Sequence, residues 1–166
     1  MLKLTKRILT SIISILLSFQ VCAKEATLEF QQNPKIQEAA TAYSLDCVDW
    51  VKSTFNVELD WSDSSVERIE ALLNNLSQAA QSPNPPPPER IRDFTYIFGF
   101  YIGEVYRKNH GGVEWGDVII NGDKYVGLAK TDSGEPFIWP TVKVHKRIAL
   151  GEEENIWQYY QAITEK

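Results

Sequence analysis

The feature that most constrains this fold is a continuous amphipathic stretch, residues 89–112, in the middle of the chain. Its apolar residues recur at spacings of three and four, which places them on one face of a long helix. They are Ile91, Phe94, Phe98, Tyr101, Ile102 and Val105. Gly99 and Gly103 lie one turn apart beside that face, and each costs about 1 kcal/mol relative to alanine in a helix interior. We therefore expect a buried central helix that another element approaches closely at these two glycines.

The first 23 residues have the pattern of a secretory signal peptide. Three cations precede an apolar run at residues 8–19, and Val21-Cys22-Ala23 supplies the small residues of a cleavage site. We expect cleavage before Lys24 and a mature protein in the periplasm or outside the cell. The alternative is an uncleaved anchor, although the apolar run is shorter than the roughly 20 residues that a span needs.

Cleavage would change the charge and the cysteine content of the protein. Loss of three cations takes the formal net charge from −5 to −8, which argues against nucleic acid or anionic lipid as a partner. Cys47 would remain as the single cysteine, so the sequence predicts no internal disulfide. Cys47 lies on the apolar side of a predicted helix, which favours a small buried side chain over a disulfide between chains.

Two predicted helices and a proline-rich loop precede the central helix. Residues 24–33 are polar and are expected to be a flexible N-terminus, and residues 34–166 are expected to form a single domain. The first helix begins at Pro34, and Ser62 or Asp63 caps the second. Residues 81–88 carry five prolines and form the loop that joins the second helix to the central helix; a ligand for an aromatic groove is the alternative interpretation.

After the central helix the apolar spacing changes to two. Residues 113–120 and 124–130 flank Asn121-Gly122, and this combination predicts a β-hairpin. A third short strand at residues 135–139 completes an antiparallel meander, and a last helix begins with the acidic residues 152–154. The predicted class is therefore α+β: N-terminal helices and a long central helix packed on a small antiparallel meander and closed by a C-terminal helix.

Few residues could carry catalysis. The chain has two histidines and no phosphate loop, zinc-protease or nucleophile-elbow motif, so we expect no catalytic residue, cofactor or metal site. Glu104 is the most notable ionisable residue, because its helix is otherwise mostly apolar. It could form an ion pair, with Arg107 or with Lys143 or Arg147. Alternatively, it could be a general base with a raised pKa.

The sequence predicts a binding surface where the central helix ends against the meander. Tryptophan and charged side chains are concentrated there, and tryptophan is frequent at the energetic centres of interfaces. The candidate residues are Glu104, Arg107, His110, Trp115 and Asp117, with Lys143 and Arg147 opposite. Helix capping and compensation of the helix dipole explain His110 without any binding role.

Residues 98–112 and 139–151 resemble a bacterial domain family of unknown function. Its members share a Gly-x-Tyr-x-Gly-Glu-Val helix, an Asn-x-Gly-Gly end and a Pro-x-x-Lys-Val-x-Lys-Arg segment. The resemblance covers about residues 57–160. It implies a common fold and no activity, cofactor or catalytic residue.

These observations favour an exported protein that acts by binding, with another protein as its partner. One concrete form is an immunity-type protein of the bacterial envelope that blocks a toxin; its small size, acidity and export suit an inhibitor, by analogy alone. The alternatives are an envelope hydrolase that uses Glu104 as its base and an accessory subunit of an envelope complex. The oligomeric state does not follow from the sequence.

Overall fold

The computed structural model describes residues 27–165, which form an α+β fold. The predicted signal peptide at residues 1–23 lies outside the described residues. Five α-helices and four strands follow one another along the described part of the chain. Their bounds are β1 Leu28–Gln32, α1 Pro34–Phe55, α2 Ser64–Ala80, α3 Pro88–His110, β2 Val113–Ile120, β3 Asp123–Lys130, β4 Pro136–Ile138, α4 Pro140–Leu150 and α5 Ile156–Thr164, with a 3-10 turn at Glu152–Glu154 before α5.

The first helix begins and ends where local chemistry favours it. The Asn33 side chain accepts a hydrogen bond from the Lys35 N–H, and Pro34 occupies the first turn, where a missing N–H has no consequence. Asn56 adopts the left-handed conformation with φ 53° and closes the helix through a bond from its N–H to the Lys52 carbonyl. The predicted start of α1 at Pro34 is confirmed.

The central helix α3 packs against α1, α4 and the sheet, and its two glycines permit this packing. An added Cβ at Gly99 would lie 2.7 Å from the Thr141 Cα, and one at Gly103 would lie 2.3 Å from the Trp115 ring. Both distances are shorter than carbon atoms tolerate, so only glycine allows α4 and β2 to approach this closely. The close approach that the sequence predicted is confirmed at both positions.

The sheet is antiparallel, with strand order β1-β2-β3-β4. Asn121 and Gly122 form the predicted hairpin turn, with φ values of 53° and 93°. The fourth strand is short and pairs only with the end of β3, through Leu128↔Ile138 and Ala129↔Pro136. Among residues 27–165, no strand therefore pairs with the outer side of the first half of β3.

The prediction of a flexible segment at residues 24–33 was wrong for Leu28–Gln32. These residues form β1, which pairs antiparallel with β2 in the register Phe30↔Val118. The physical reason is the shape of β2, since Gly116 has no side chain and the Phe30 ring occupies the space where its Cβ would be. Pairing with β2 satisfies the backbone N–H and carbonyl groups of β1. The five-residue sequence of β1 does not by itself reveal this pairing.

Helices α4 and α5 close the domain against α2. Val144, Ile148, Ile156 and Tyr160 are buried with Ile69 and Leu73 in one continuous core. Among the described residues, no helix is long and apolar enough to cross a bilayer.

Candidate functional site

Glu104 lies at the centre of a buried hydrogen-bonded cluster. Its side chain is 1% exposed. The Arg107 guanidinium donates to both carboxylate oxygens, at 2.8 and 2.9 Å, and the Trp115 indole N–H donates to Oε1 at 2.8 Å. The Gln37 amide donates to the same oxygen at 3.2 Å. The cluster joins α1, α3 and β2, so it holds three elements together.

These contacts make Glu104 a poor proton acceptor. Burial acts to raise the pKa of Glu104, but the hydrogen bonds from Arg107, Trp115 and Gln37 outweigh burial and hold the pKa below its usual range. A general base at neutral pH needs a pKa near the working pH and a free oxygen aimed at a substrate. Glu104 has neither, and its geometry is that of a structural ion pair.

His110 lies in a separate cluster around Asp63. The His110 Nε2 lies 3.0 Å from one Asp63 oxygen, and the Asn109 amide and the Tyr160 hydroxyl donate to the other oxygen at 2.9 and 2.6 Å. Burial, together with the hydrogen bond to Asp63, raises the pKa of Tyr160. This cluster ties the start of α2 to the end of α3 and to α5, and it does not include Glu104.

Asp117 contacts the N-terminal edge of the domain. Its carboxylate accepts a hydrogen bond from the Asn33 amide at 3.0 Å, and the Lys124 ammonium lies 3.8 Å away. Asp117 therefore connects β2 to the residue that caps α1.

The expectation that Lys143 and Arg147 face Glu104 was wrong. Arg147 is 1% exposed and donates to Glu70 at 2.9 Å and to Asn74 at 3.1 Å, both on α2. Lys143 pairs with Glu154. The reason is that α4 inserts between α3 and α2, so its basic residues find carboxylates on the side away from Glu104. Of the seven candidate residues, Glu104, Arg107 and Trp115 share one cluster. The other four lie in separate structural contacts, so the structure does not bring the seven together.

A groove of about 600 Å³ opens elsewhere, between the first half of α3, the first half of β3 and α4. Its size falls in the range of ligand-binding clefts. Apolar and aromatic side chains form most of its surface, and no Asp or Glu of the described part of the chain lines it. The lining residues are Pro88, Ile91, Arg92, Thr95, Tyr96, Lys124, Tyr125, Val126, Thr141, Val142 and His145.

Two of the groove residues, Arg92 and Lys124, are basic, and a third, His145, is a histidine. Arg92 and His145 are exposed, and neither forms an ion pair within residues 27–165. Lys124 is 61% exposed, and its nearest carboxylate, Asp117, is 3.8 Å away and already bonded to Asn33. The groove therefore presents positive charge on a chain whose formal net charge is −5.

Sequence reasoning missed this groove because its residues come from three distant segments of the chain. His145, on α4, has an exposed side chain. A possible signal was Tyr125, a large aromatic residue beside the turn, which is 40% exposed.

Residues 27–165 contain neither a metal-binding cluster nor an exposed thiol. Within residues 27–165, no group of three or more His, Cys, Asp or Glu side chains is placed to hold a metal ion. Burial raises the pKa of the Cys47 thiol well above its usual value, so Cys47 is a small core side chain, as its helical position predicted.

No family model and no curated protein sequence matches this chain. Among solved structures, the fold is similar to a protein of Bacteroides thetaiotaomicron VPI-5482, known from a crystal structure at 1.50 Å resolution, with a TM-score of 0.58 and 17% sequence identity. The match covers 84% of this chain and 47% of that protein, so this chain spans about half of its length. At this level of identity the similarity is one of fold alone.

Proposed function

We propose that this chain is an exported binding protein of the bacterial envelope and that it holds another protein in the groove between α3, β3 and α4. The observation that carries the proposal is the groove itself. It combines an apolar surface containing Tyr96 and Tyr125 with the cationic side chains of Arg92 and Lys124. Aromatic anchors surrounded by charged residues are typical of protein interfaces.

Binding is favoured over hydrolysis by the state of Glu104. The hydrolase alternative requires Glu104 as its base, but both carboxylate oxygens accept bonds and the pKa is lowered. No second carboxylate or histidine contacts Glu104 within the described residues. An inhibitor or immunity-type protein requires only a surface that is complementary to its partner, and the groove can supply such a surface.

The test is affinity capture from envelope extracts with the protein expressed from its full sequence and carrying a C-terminal tag. Val142→Glu places a carboxylate in the groove, whereas Leu150→Glu makes the same change on the same helix at a residue that is 58% exposed and outside the groove. We expect one protein to be recovered in near-equal amount by the wild type and by Leu150→Glu, and to be lost with Val142→Glu.

Recovery that is equal with both variants would contradict the groove as the binding site. The accessory-subunit alternative would then be favoured if Tyr43→Glu abolished recovery, since Tyr43 and Phe55 are exposed large side chains on α1, 41% and 45% accessible. Recovery of no protein from the extracts would contradict protein binding altogether.

A further inference from the structure

The groove runs along an open edge of the sheet. Within β3, the Lys130 N–H donates to the Glu135 carbonyl on the outer side. Because β3 pairs with β2 in an unbroken register, its backbone groups alternate in direction, and those of Lys124 and Val126 point to the same outer side. The fourth strand reaches only Leu128 and Ala129. The edge at residues 124–126 therefore faces the groove, and no strand of the described structure pairs with it.

Side chains satisfy only part of this edge. The Thr141 hydroxyl donates to the Val126 carbonyl at 3.3 Å. The N–H and carbonyl of Lys124 and the N–H of Val126 have no outward partner among residues 27–165. Exposed edge groups of this kind are a template for an added strand.

The walls of the groove suit an extended chain. Helix α3 supplies Ile91 and Tyr96 on one side, and α4 supplies Val142 on the other. An extended segment of about four residues would span the open edge at 3.3 Å per residue. Its alternate side chains would meet these apolar walls.

The charge around the groove selects among extended chains. The cationic side chains of Arg92 and Lys124 line it together with His145, and no carboxylate from residues 27–165 does. Like charges at an interface are strongly disfavoured, and opposite charges accelerate association. A basic segment is therefore excluded, and an acidic one is favoured.

We infer that the groove binds an extended acidic segment of a partner protein, which adds to the sheet as a strand along the open part of the β3 edge at residues 124–126. This inference rests on the proposed function and specifies the chemistry of its partner. Main-chain hydrogen bonds to the β3 edge supply affinity, and carboxylates that meet Arg92, Lys124 and His145 supply specificity.

Three synthetic peptides test the two parts of the inference. The first alternates Glu and Val over eight residues with capped ends. The second has the same sequence with alternate backbone amides N-methylated, which removes strand pairing and keeps the charge. The third replaces Glu by Lys. Binding is measured by fluorescence anisotropy with the protein expressed from its full sequence. We expect the first peptide to bind, the second at least about tenfold more weakly, and the third not detectably.

Two substitutions at one residue separate the backbone from the charge. Lys124→Gln removes the cation alone, whereas Lys124→Pro also removes the outward N–H at an edge position that tolerates proline. We expect Lys124→Gln to weaken binding of the Glu-Val peptide about threefold and Lys124→Pro about tenfold or more, with the circular dichroism spectrum of both variants unchanged. If Lys124→Pro fails to fold, the N-methylated peptide still decides the question.

Strand addition and protein binding in the groove can fail independently, and the experiments distinguish the two outcomes. Two results would overturn strand addition. One is equal binding of the methylated and unmethylated peptides. The other is no binding of the Glu-Val peptide at 1 mM, which is about the weakest affinity of interest. If envelope capture remains sensitive to Val142→Glu in that case, the groove still binds a protein in another way. A dimer in sedimentation that dissociates with Lys124→Pro would show that a second copy occupies the edge, and this also overturns the inference.

Discussion

The Glu104 cluster and the groove use similar residue types in opposite ways. In the cluster, the acceptor oxygens of a buried carboxylate are occupied by Arg107, Trp115 and Gln37. In the groove, Arg92 and His145 are exposed without ion-pair partners in the described structure, and part of a strand edge is unpaired. A polar group that is already satisfied stabilises the fold, whereas one that is unsatisfied and exposed remains free to bind.

This difference explains why conspicuous sequence features misled the search for a site. Glu104 and Trp115 stand out because their polar groups are costly to bury without a hydrogen-bond partner. The two glycines stand out because glycine is costly in a helix interior. Matching them is a requirement of folding. Exposing the groove residues to solvent costs little free energy, so their pattern in the sequence does not distinguish them in the same way.

The largest expected effect on stability is that of Gly103→Ala. An added Cβ would lie 2.3 Å from the Trp115 ring, so the ring must move and its hydrogen bond to Glu104 must break. We expect a loss of about 3 kcal/mol in the free energy of unfolding, measured by urea denaturation. The same substitution in a Trp115→Leu background should be much less damaging, because the two residues are in contact. An additive pair of losses would contradict this explanation.

Glu104→Gln should have the next largest effect. The side chain keeps its shape but loses its charge, and its amide group would face the donors of Arg107. We expect a loss of about 2 kcal/mol by chemical denaturation, with envelope binding retained. Loss of an enzymatic activity at unchanged stability would instead support the hydrolase alternative.

The charge of Glu104 should also make the stability of the protein depend on pH. The pKa of Glu104 is lowered in the folded protein relative to its ordinary value of 4.5. Its stabilising contribution is therefore complete above that value and is lost as the pH falls through the folded pKa. As the pH falls from 5 to more acidic conditions, we expect the free energy of unfolding to decrease more for the wild type than for Glu104→Gln. Parallel unfolding curves for the two proteins would show that Glu104 is not charged in the fold.

The smallest effect on stability is expected for Arg92→Ser in the groove. Arg92 is exposed and forms no ion pair within the described residues, so the free energy of unfolding should change by less than about 0.5 kcal/mol. Binding of the Glu-Val peptide should nevertheless weaken, and the weakening should diminish at high salt. Lys35→Ser is the control, since Lys35 is exposed at the start of α1 and does not line the groove. A large loss of stability with Arg92→Ser would place Arg92 with the structural residues.

Local signals in the sequence were sufficient for most elements of the fold. The apolar spacing of α3, the Pro34 start of α1 and the Asn121-Gly122 turn act over a few residues, and each is found at its predicted position. The strand β1 was missed because its pairing depends on a glycine in β2, about 86 residues away. Contacts of that range leave no periodic pattern in the short segment itself.

The sequence by itself determined the fold class, the central helix and the need for close packing at Gly99 and Gly103, because these follow from local periodicity and from the size of single side chains. Only the tertiary structure decided which charges meet. Arg147 pairs with Glu70 and not with Glu104, because the position of α4 between α3 and α2 controls which carboxylates it can reach. The groove has the same origin, since β4 ends before it covers the first half of β3 and leaves Lys124 and Val126 beside α3 and α4.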